Sequence, residues 1–311
     1  MKILHQFKAL ADETRLRLLG ILAHHELNVG EIVQALNMGQ SRISRHLKIL
    51  MDAGFVVCKR NGLWAFYSTA KDDSSQGLLE AVLTGLTEVP EHKEDLQNAI
   101  QVLQDRRQST ISFFDELALD WSKMSQDILG DFNLNALILD HLALCGLTDQ
   151  HGVVADLGCG PGIMLGLLAQ QAQEVIGVDS SARMLEAAAK LLPDQAPVSL
   201  RLGDLEHLPL RDDEVDAAIM SLVLHHLPAP RAGVLEMARI VRPGGQGIIA
   251  DFATHNNESM RSRYGDRWFG FSPADLHAWM QEAGFEHIHI QTFSVNLDLQ
   301  LLVATAQSSG A

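Results

Sequence analysis

One short segment constrains the fold of this 311-residue chain more than any other. It is the apolar run Val153–Leu157, which leads directly into Gly158 and Gly160. A run of this length bounded by glycines is typical of a buried strand. A second apolar run, 175–178, ends at Asp179, which lies 21 positions after Gly158 (179 − 158 = 21). A strand, a glycine turn, a helix and a second strand that ends in an acid predict a parallel unit in which the acid accepts a pair of ribose hydroxyls.

The residues around this unit continue the alternation of strands and helices. The pattern predicts a helix at 163–172, a third strand at Val198–Leu202, a fourth strand at 216–227 and a further strand at 247–251. Strands that alternate with helices form parallel sheets. The sequence therefore predicts an α/β Rossmann-like domain over 110–311.

Acidic residues after successive strands, together with His225 and His226 near the end of the fourth, make this pattern specific. Over about residues 110–305 it resembles the class I S-adenosylmethionine-dependent methyltransferases. The resemblance implies that S-adenosylmethionine or S-adenosylhomocysteine binds, as methyl donor or as effector. The ligand-binding residues that it implies are Trp121, Asp156, Gly158, Gly160, Asp179, Ser180, Met184, Asp204, Leu205, Ser221 and His225.

The resemblance implies different roles for these residues. Asp156 and the glycine loop surround the amino-acid part of the ligand, and Asp179 holds the ribose through charge-assisted hydrogen bonds. Asp204 accepts a hydrogen bond from the adenine amino group, with Leu205 beside it. Ser221 and His225 lie near the sulfur.

Trp121 and Met184 admit two interpretations. Trp121 ends the segment 113–121, which resembles the lid segment of these proteins. In the first interpretation, Trp121 covers the ligand and Met184 packs on adenine. In the second, both side chains pack in the core. No residue is assigned to catalysis, because methyl transfer mainly needs an aligned nucleophile and sulfonium. His225 and His226 are candidates for a base.

The first 73 residues have a different pattern, which predicts an α+β winged helix-turn-helix domain. Short amphipathic helices at 28–36 and 41–53 are separated by a tight turn, and an Asn61-Gly62 turn predicts a hairpin over 55–68. The second helix enters the major groove in such domains, and the wing meets phosphate or the minor groove. The predicted DNA-binding residues are Gln40, Ser41, Arg42, Ser44, Arg45, Lys59 and Arg60.

The charge of the chain is unevenly distributed. The net charge is −15, but residues 1–89 carry +1 and the remainder carries −16. Phosphate neutralisation needs local positive charge, which the second helix and the wing supply. An acidic C-terminal domain is therefore compatible with DNA binding by the N-terminal one.

Residues 5–70 resemble the ArsR/SmtB family of bacterial repressors, with 10–17 and 44–50 as the most specific parts. The resemblance implies a homodimer that releases double-stranded operator DNA when its effector state changes. Many members sense metals through cysteines, but Asn28 and Gly30 stand where thiolates occur in those proteins. Soft metals need clustered thiolates, so we expect no metal site.

The segment 74–109 is predicted to be two helices separated at Pro90. Their apolar stripe packs on the N-terminal domain or, as the resemblance favours, forms the dimer interface.

The three cysteines are far apart, which indicates a reducing cytoplasm rather than a disulfide framework. No apolar run reaches the ~20 residues of a membrane span, and we expect no secretion signal. The predicted domains are 1–73, a connector or dimerisation segment at 74–109, and 110–311.

The fusion resembles the S-adenosylhomocysteine-responsive branch of ArsR-type regulators, which control genes of the methionine and methyl cycle. The expected function is therefore a dimeric transcriptional regulator, a repressor, that senses S-adenosylhomocysteine or S-adenosylmethionine. The alternatives are an active small-molecule methyltransferase with a DNA-binding regulatory head, and a bifunctional protein.

Overall fold

The computed structural model describes residues 2–61, 64–70, 73–117, 121–147 and 152–309. The chain divides into two compact units, Met1–Gln108 and Ser109–Ala311. In the part of the chain that is described, every helix is too short or too polar to cross a membrane.

The first unit contains helices packed beside a small antiparallel sheet. Its described strands pair in the order β1-β3-β2. The core includes Leu18, Ile32, Ile43 and Leu47, all fully buried. The elements are α1 (Lys2–Leu10), α2 (Glu13–Leu22), β1 (Leu27–Asn28), α3 (Val29–Leu36), α4 (Gln40–Asp52), β2 (Val56–Asn61), β3 (Trp64–Thr69), α5 (Asp73–Leu86) and α6 (Pro90–Leu117), which continues past residue 108.

Side-chain caps fix where the helices of this unit begin. The Asp12 side chain accepts a hydrogen bond from Arg15 N, as expected for the N-cap of α2. Asn28 and Glu31 form a reciprocal capping box at the start of α3. The predicted hairpin is present, but its turn is displaced: Asn61 pairs with Trp64 and so belongs to β2. The other predicted turn residue, Gly62, lies outside the described residues.

The apolar stripe of the connector packs on the core of the first unit. Leu79 and Ala99 are buried in that core, and Leu78, Val82 and Leu83 pack against it. Two ion pairs also join α6 to the head: Arg17 to Asp95 of α6, and Arg106 of α6 to Glu31.

The second unit is a mostly parallel sheet with helices around it. Its described strands pair in the order β6-β5-β4-β7-β8-β10-β9, with β10 antiparallel to both neighbours. Its core includes Val154, Ile219 and Ile248, which are fully buried. The elements after α6 are α7 (Trp121–Leu129), α8 (Leu134–Leu144), β4 (Val153–Leu157), α9 (Ile163–Leu168), β5 (Glu174–Asp179), α10 (Ala182–Leu191), β6 (Val198–Leu202), β7 (Val215–Ser221), a 3-10 turn (Leu224–His226), α11 (Pro230–Ile240), β8 (Val241–Phe252), α12 (Glu258–Tyr264), α13 (Pro273–Glu282), β9 (Phe285–Ser294) and β10 (Gln300–Ser308).

Several predicted bounds in this unit were wrong. The fourth strand ends at Ser221, because Leu222 takes a left-handed conformation (φ 54°) and the chain then enters the 3-10 turn. The glycine-loop helix ends at Leu168 rather than at 172. The start of the predicted lid segment is the last turn of α6, and 118–120 lie outside the described residues.

Candidate functional site

The predicted ligand residues gather at one edge of the parallel sheet. Strands β4, β5, β6 and β7 run parallel to one another and end at Leu157, Asp179, Leu202 and Ser221. Ligands of open α/β sheets bind outside the carboxyl ends of the strands. The glycine loop, Asp179, Asp204 and Ser221 therefore stand where this rule places a ligand.

The glycine loop closes tightly over the ends of the first two strands. Gly158 has φ 80°, and its N–H donates to the Val178 carbonyl at 2.7 Å. A Cβ at Gly158 would come within 2.4 Å of Val223 Cγ2, so a larger residue does not fit there. Gly160 has φ 52°, and the nearest atom to a Cβ there is Trp121 Nε1, at 3.7 Å. Trp121 thus lies beside the loop, in a position that suits a ligand cover.

The Asp179 carboxylate holds the loop in place. Its oxygens accept hydrogen bonds from Gly160 N at 2.9 Å and Ser181 N at 2.8 Å. Burial raises its pKa, although these backbone N–H groups act in the opposite direction. An ionised carboxylate has about four acceptor sites, so Asp179 can still accept hydrogen bonds from a ribose.

Asp156 is the second carboxylate of the loop. It is only 3% exposed, at the penultimate position of β4. Burial, with a smaller contribution from the charge of Asp179, raises the pKa of Asp156 to about 7. A cationic ligand group beside it would offset this cost, which suits the ammonium group of an amino acid.

Asp115, which the sequence did not predict as a site residue, contributes to the side of the site next to α10. The hydroxyl of Ser181, the N-cap of α10, accepts from Met184 N at 3.1 Å and donates to Asp115. Asp115 belongs to α6, and no sequence signal connects it with α10. Met184 and Leu205 are buried, whereas Ser180 and Asp204 are half-buried.

His225 lies between two carboxylates. Its Nδ1 is 2.7 Å from Asp251 Oδ1, and its Nε2 is 3.5 Å from Asp266 Oδ1. Burial lowers the pKa of His225, but Asp251 and Asp266 outweigh this effect and raise it to about 9. The sequence offered a signal for Asp251, at the end of a strand beside β7. It offered none for Asp266, which follows α12.

A small cavity adjoins His225. Its volume is about 10 Å³, and its lining includes Trp121, His226, Tyr264 and Asp266. His226 Nδ1 is 3.3 Å from the Gly265 carbonyl oxygen. Burial, and then the charge of His225, lower the pKa of His226 well below its usual value. His226 is therefore neutral near pH 7.

The predicted DNA-binding residues of the second helix share one exposed surface. Gln40, Ser41, Ser44 and Arg45 are exposed on the first two turns of α4, while Ile43, Leu47 and Leu50 face the core. Arg42 is also exposed, and its guanidinium donates to Thr14 Oγ1 at 2.8 Å. Lys59 is exposed on β2, and the side chain of Arg60 lies outside the described residues.

Models of two known protein families match two separate parts of the chain. Residues 12–57 match the model of the bacterial regulatory protein arsR family, and residues 155–249 match the model of a methyltransferase domain. The chain joins an arsR-family helix-turn-helix domain to a class I methyltransferase domain. Both fold predictions are therefore confirmed.

Individual relatives match the chain only in part. An uncharacterized 37.1 kDa transposon protein of Streptomyces fradiae is 40% identical over 99 residues, covering 31% of this chain and 29% of that protein. A demethylmenaquinone methyltransferase of Clavibacter sepedonicus is 34% identical over 101 residues, covering 32% of this chain and 41% of that enzyme. This chain thus spans less than half the length of either relative.

A solved structure is similar in fold. It is the 1,6-didemethyltoxoflavin-N1-methyltransferase of Burkholderia thailandensis with 1,6-didemethyltoxoflavin and S-adenosylhomocysteine bound. The similarity has a TM-score of 0.53 at 19% identity and covers 66% of this chain and 90% of that one. At this identity the likeness concerns the fold alone.

Proposed function

We propose that the protein is a dimeric transcriptional regulator, a repressor of genes of the methionine and methyl cycle. Residues 1–73 bind operator DNA, 74–109 contribute to dimerisation, and 110–311 sense S-adenosylhomocysteine or S-adenosylmethionine. Ligand binding changes the affinity for DNA, and linkage requires DNA to change the affinity for ligand by the same factor.

The surface of α4 supports the DNA-binding part of the proposal. Arg42, Arg45 and Lys48 are exposed there, within an arsR-family match. Cationic side chains on a helix that enters the major groove can neutralise phosphates and contact guanine edges. Ser44 lies between the two arginines and has a hydroxyl for either role.

The face of α1 supports the dimer. Ile3, Leu4 and Phe7 are between 42% and 54% exposed, and they lie within one turn of the same helix. Adjacent exposed apolar side chains of this size favour an interface. A second copy of the chain is the partner that the arsR-family match suggests.

The strand-end site supports the nucleoside ligand. Asp179 stands at the end of β5, as the ribose partner does in sheets of this type, and the Gly158–Gly160 loop leaves room for close approach of a ligand. The methyltransferase-domain match over 155–249 and the S-adenosylhomocysteine bound in the similar Burkholderia structure favour this ligand class. Asp156 is the residue that would pair with the ligand ammonium group.

The cavity beside His225 is the observation that favours a sensor over an enzyme. Sites for organic molecules usually have ≈ 300–1,000 Å³, whereas this cavity has about 10 Å³. Trp121, Tyr264 and Asp266 are among the residues that line it, and His225 is the residue expected near the sulfur. A methyl acceptor therefore has no room there in the conformation described.

The second candidate function is methyl transfer to a small acceptor. It is favoured by the Asp251–His225 pair, since a carboxylate that orients an imidazole is a common arrangement for acid–base chemistry. It requires the cavity to open far enough for an acceptor to approach the methyl group.

A calorimetric titration with both nucleosides tests the proposal, repeated with the promoter fragment of the protein's own operon present. We expect S-adenosylhomocysteine or S-adenosylmethionine to bind with an affinity that DNA changes by about 5–150-fold, the usual range of allosteric coupling. Operator binding that stays constant across a full titration of both nucleosides would refute the sensor. Steady turnover with an added acceptor would establish the second candidate.

Three variants separate the two activities. Asp179→Ala should lose the ligand response and keep basal DNA binding. Arg45→Ala should weaken DNA binding and keep ligand binding, whereas Lys93→Ala, which removes an exposed cation from α6, should do neither. If Arg45→Ala leaves DNA binding unchanged, the recognition surface is misplaced; if Asp179→Ala loses both activities, the variant has a folding defect.

A further inference from the structure

The geometry points to a buried site for one zinc-type divalent cation, held by His225, His226 and Asp266. One ligand-type atom from each of these residues lies within 4.8 Å of the other two. All three residues are buried, with exposures of 2%, 6% and 2%. The sequence predicted no metal site, because the N-terminal domain lacks the clustered cysteines that soft metals need.

The carboxylate of Asp266 is the first observation that calls for a ligand. Neither of its oxygens has a hydrogen-bond partner among the described residues, and its contact with His225 Nε2 is an ion pair at 3.5 Å. A buried carboxylate is costly unless it is both paired and hydrogen-bonded, and a coordinated metal would supply the bonds that this ion pair lacks. Tyr264, which lines the same cavity, also has a buried hydroxyl that finds no hydrogen-bond partner in the described part of the chain.

The two imidazoles are already oriented as metal ligands usually are. A metal-binding histidine typically donates its other ring N–H to a carboxylate or a backbone carbonyl. Nδ1 of His225 faces Asp251 at 2.7 Å, and Nδ1 of His226 faces the Gly265 carbonyl at 3.3 Å. Nε2 is therefore the ring nitrogen left for a cation in both residues, and at His225, where it faces Asp266 at 3.5 Å, the cation displaces its proton.

The distances and the space suit a small cation. Zinc bonds of 2.0–2.1 Å in a tetrahedron place ligand atoms about 3.3 Å apart, close to the 3.5 Å between His225 Nε2 and Asp266 Oδ1. The remaining separations require a contraction of about 1.5 Å or less. The adjoining cavity, at about 10 Å³, has room for an ion or a single water molecule and for nothing larger.

The donor set selects the class of cation. Two imidazole nitrogens and one carboxylate suit zinc and other first-row divalent ions, whereas magnesium and calcium prefer sites made of oxygen. Three protein ligands leave a coordination position open. The site lies within the second unit alone, and cation binding there does not depend on the proposed function.

The test uses the full chain, stripped with a chelator and titrated with zinc chloride against a chromophoric competitor. We expect one equivalent to bind, and Co²⁺ to give the visible absorption of a four-coordinate site. Asp266→Asn and His226→Gln should each lose this equivalent. Asp251→Asn, which removes the support of His225, should weaken binding by about 10–100-fold.

Two controls make the result decisive. His277→Gln removes an exposed histidine of α13 and should leave binding unchanged. Sγ of Cys145, the C-cap of α8, is 3.7 Å from Nε2 of His141, and these two residues form the obvious competing site. If Cys145→Ser abolishes binding while Asp266→Asn retains it, or if the intact chain takes up no cation, the proposal is wrong. Near-ultraviolet circular dichroism of each variant identifies a loss that comes from misfolding.

Discussion

Gly158 and Gly160 provide a matched pair of substitutions that tests the geometry of the ligand loop. Both residues have positive φ values, 80° and 52°, so an alanine at either position has a backbone penalty. That penalty is about 1–2 kcal/mol for a left-handed residue with a Cβ. The two positions differ most in what the new methyl group meets.

At Gly158 the new Cβ lies 2.4 Å from Val223 Cγ2, whereas at Gly160 its nearest neighbour is 3.7 Å away. The first distance is a severe overlap and the second is an ordinary contact. Overpacking of this kind costs about 1–3 kcal/mol. Gly158→Ala should therefore lower the free energy of unfolding of the second unit by about 2–5 kcal/mol, and Gly160→Ala by only about 1–2 kcal/mol.

Urea unfolding followed by tryptophan fluorescence measures this difference, because Trp121, Trp268 and Trp279 lie in the second unit and only Trp64 lies in the first. The double variant Gly158→Ala/Val223→Ala lengthens the closest approach from 2.4 to 2.9 Å and should recover part of the loss. If Gly160→Ala destabilises the chain as much as Gly158→Ala does, or if Val223→Ala gives no relief, the loop packing described here is incorrect.

Three further outcomes follow from the charges and caps. The Asp156 carboxyl, with a pKa of about 7, is about half protonated at pH 7. Pairing with a ligand ammonium group should release about half a proton at pH 7 and about a tenth of a proton at pH 8, so the calorimetric heats of binding should differ between Tris and phosphate buffers. Equal heats, or a difference that remains in Asp156→Asn, would contradict the assigned role. Arg17→Met leaves the buried Asp95 carboxylate without its guanidinium partner and should destabilise the first unit by about 3 kcal/mol, which chemical denaturation measures; the double variant Arg17→Met/Asp95→Ala should be more stable than the single one. Ser272→Ala removes the hydrogen bond from Asp275 N that caps α13 and should cost about 1 kcal/mol; an unchanged unfolding midpoint would show that the cap contributes nothing.

The sequence predicted those parts of the fold that have strong local signals. Val153–Leu157 and Val198–Leu202 are strands with the predicted bounds, because each is a short apolar or alternating run with clear boundaries. Ser272 caps α13 and Pro273 begins it, and both residue types favour these positions. The fourth strand was extended too far, since the apolar run continues past Ser221 while the left-handed Leu222 ends the strand.

The candidate site was predictable only where it follows the strands. Asp156, Asp179 and Asp204 have fixed positions relative to strand ends, so their spacing places them at one edge of the sheet. Asp115 reaches the site from α6 and Asp266 from the segment that follows α12, and their positions depend on how those helices pack. Tertiary packing of this kind has no local sequence pattern.

The space beside His225 separates a sensor from an enzyme more directly than any single residue does. Methyl transfer requires an acceptor within about 3–3.5 Å of the methyl group, in line with the bond that breaks. On the proposed placement of the sulfur beside His225, an enzyme must open the cavity lined by Trp121 and Tyr264, whereas a sensor needs only the nucleoside site. A cation held by His226 and Asp266 would occupy this same space and exclude an acceptor. Methyl transfer by the zinc-loaded chain would consequently contradict the sensor, whereas ligand-dependent DNA release by that chain is compatible with both the sensor and the metal site.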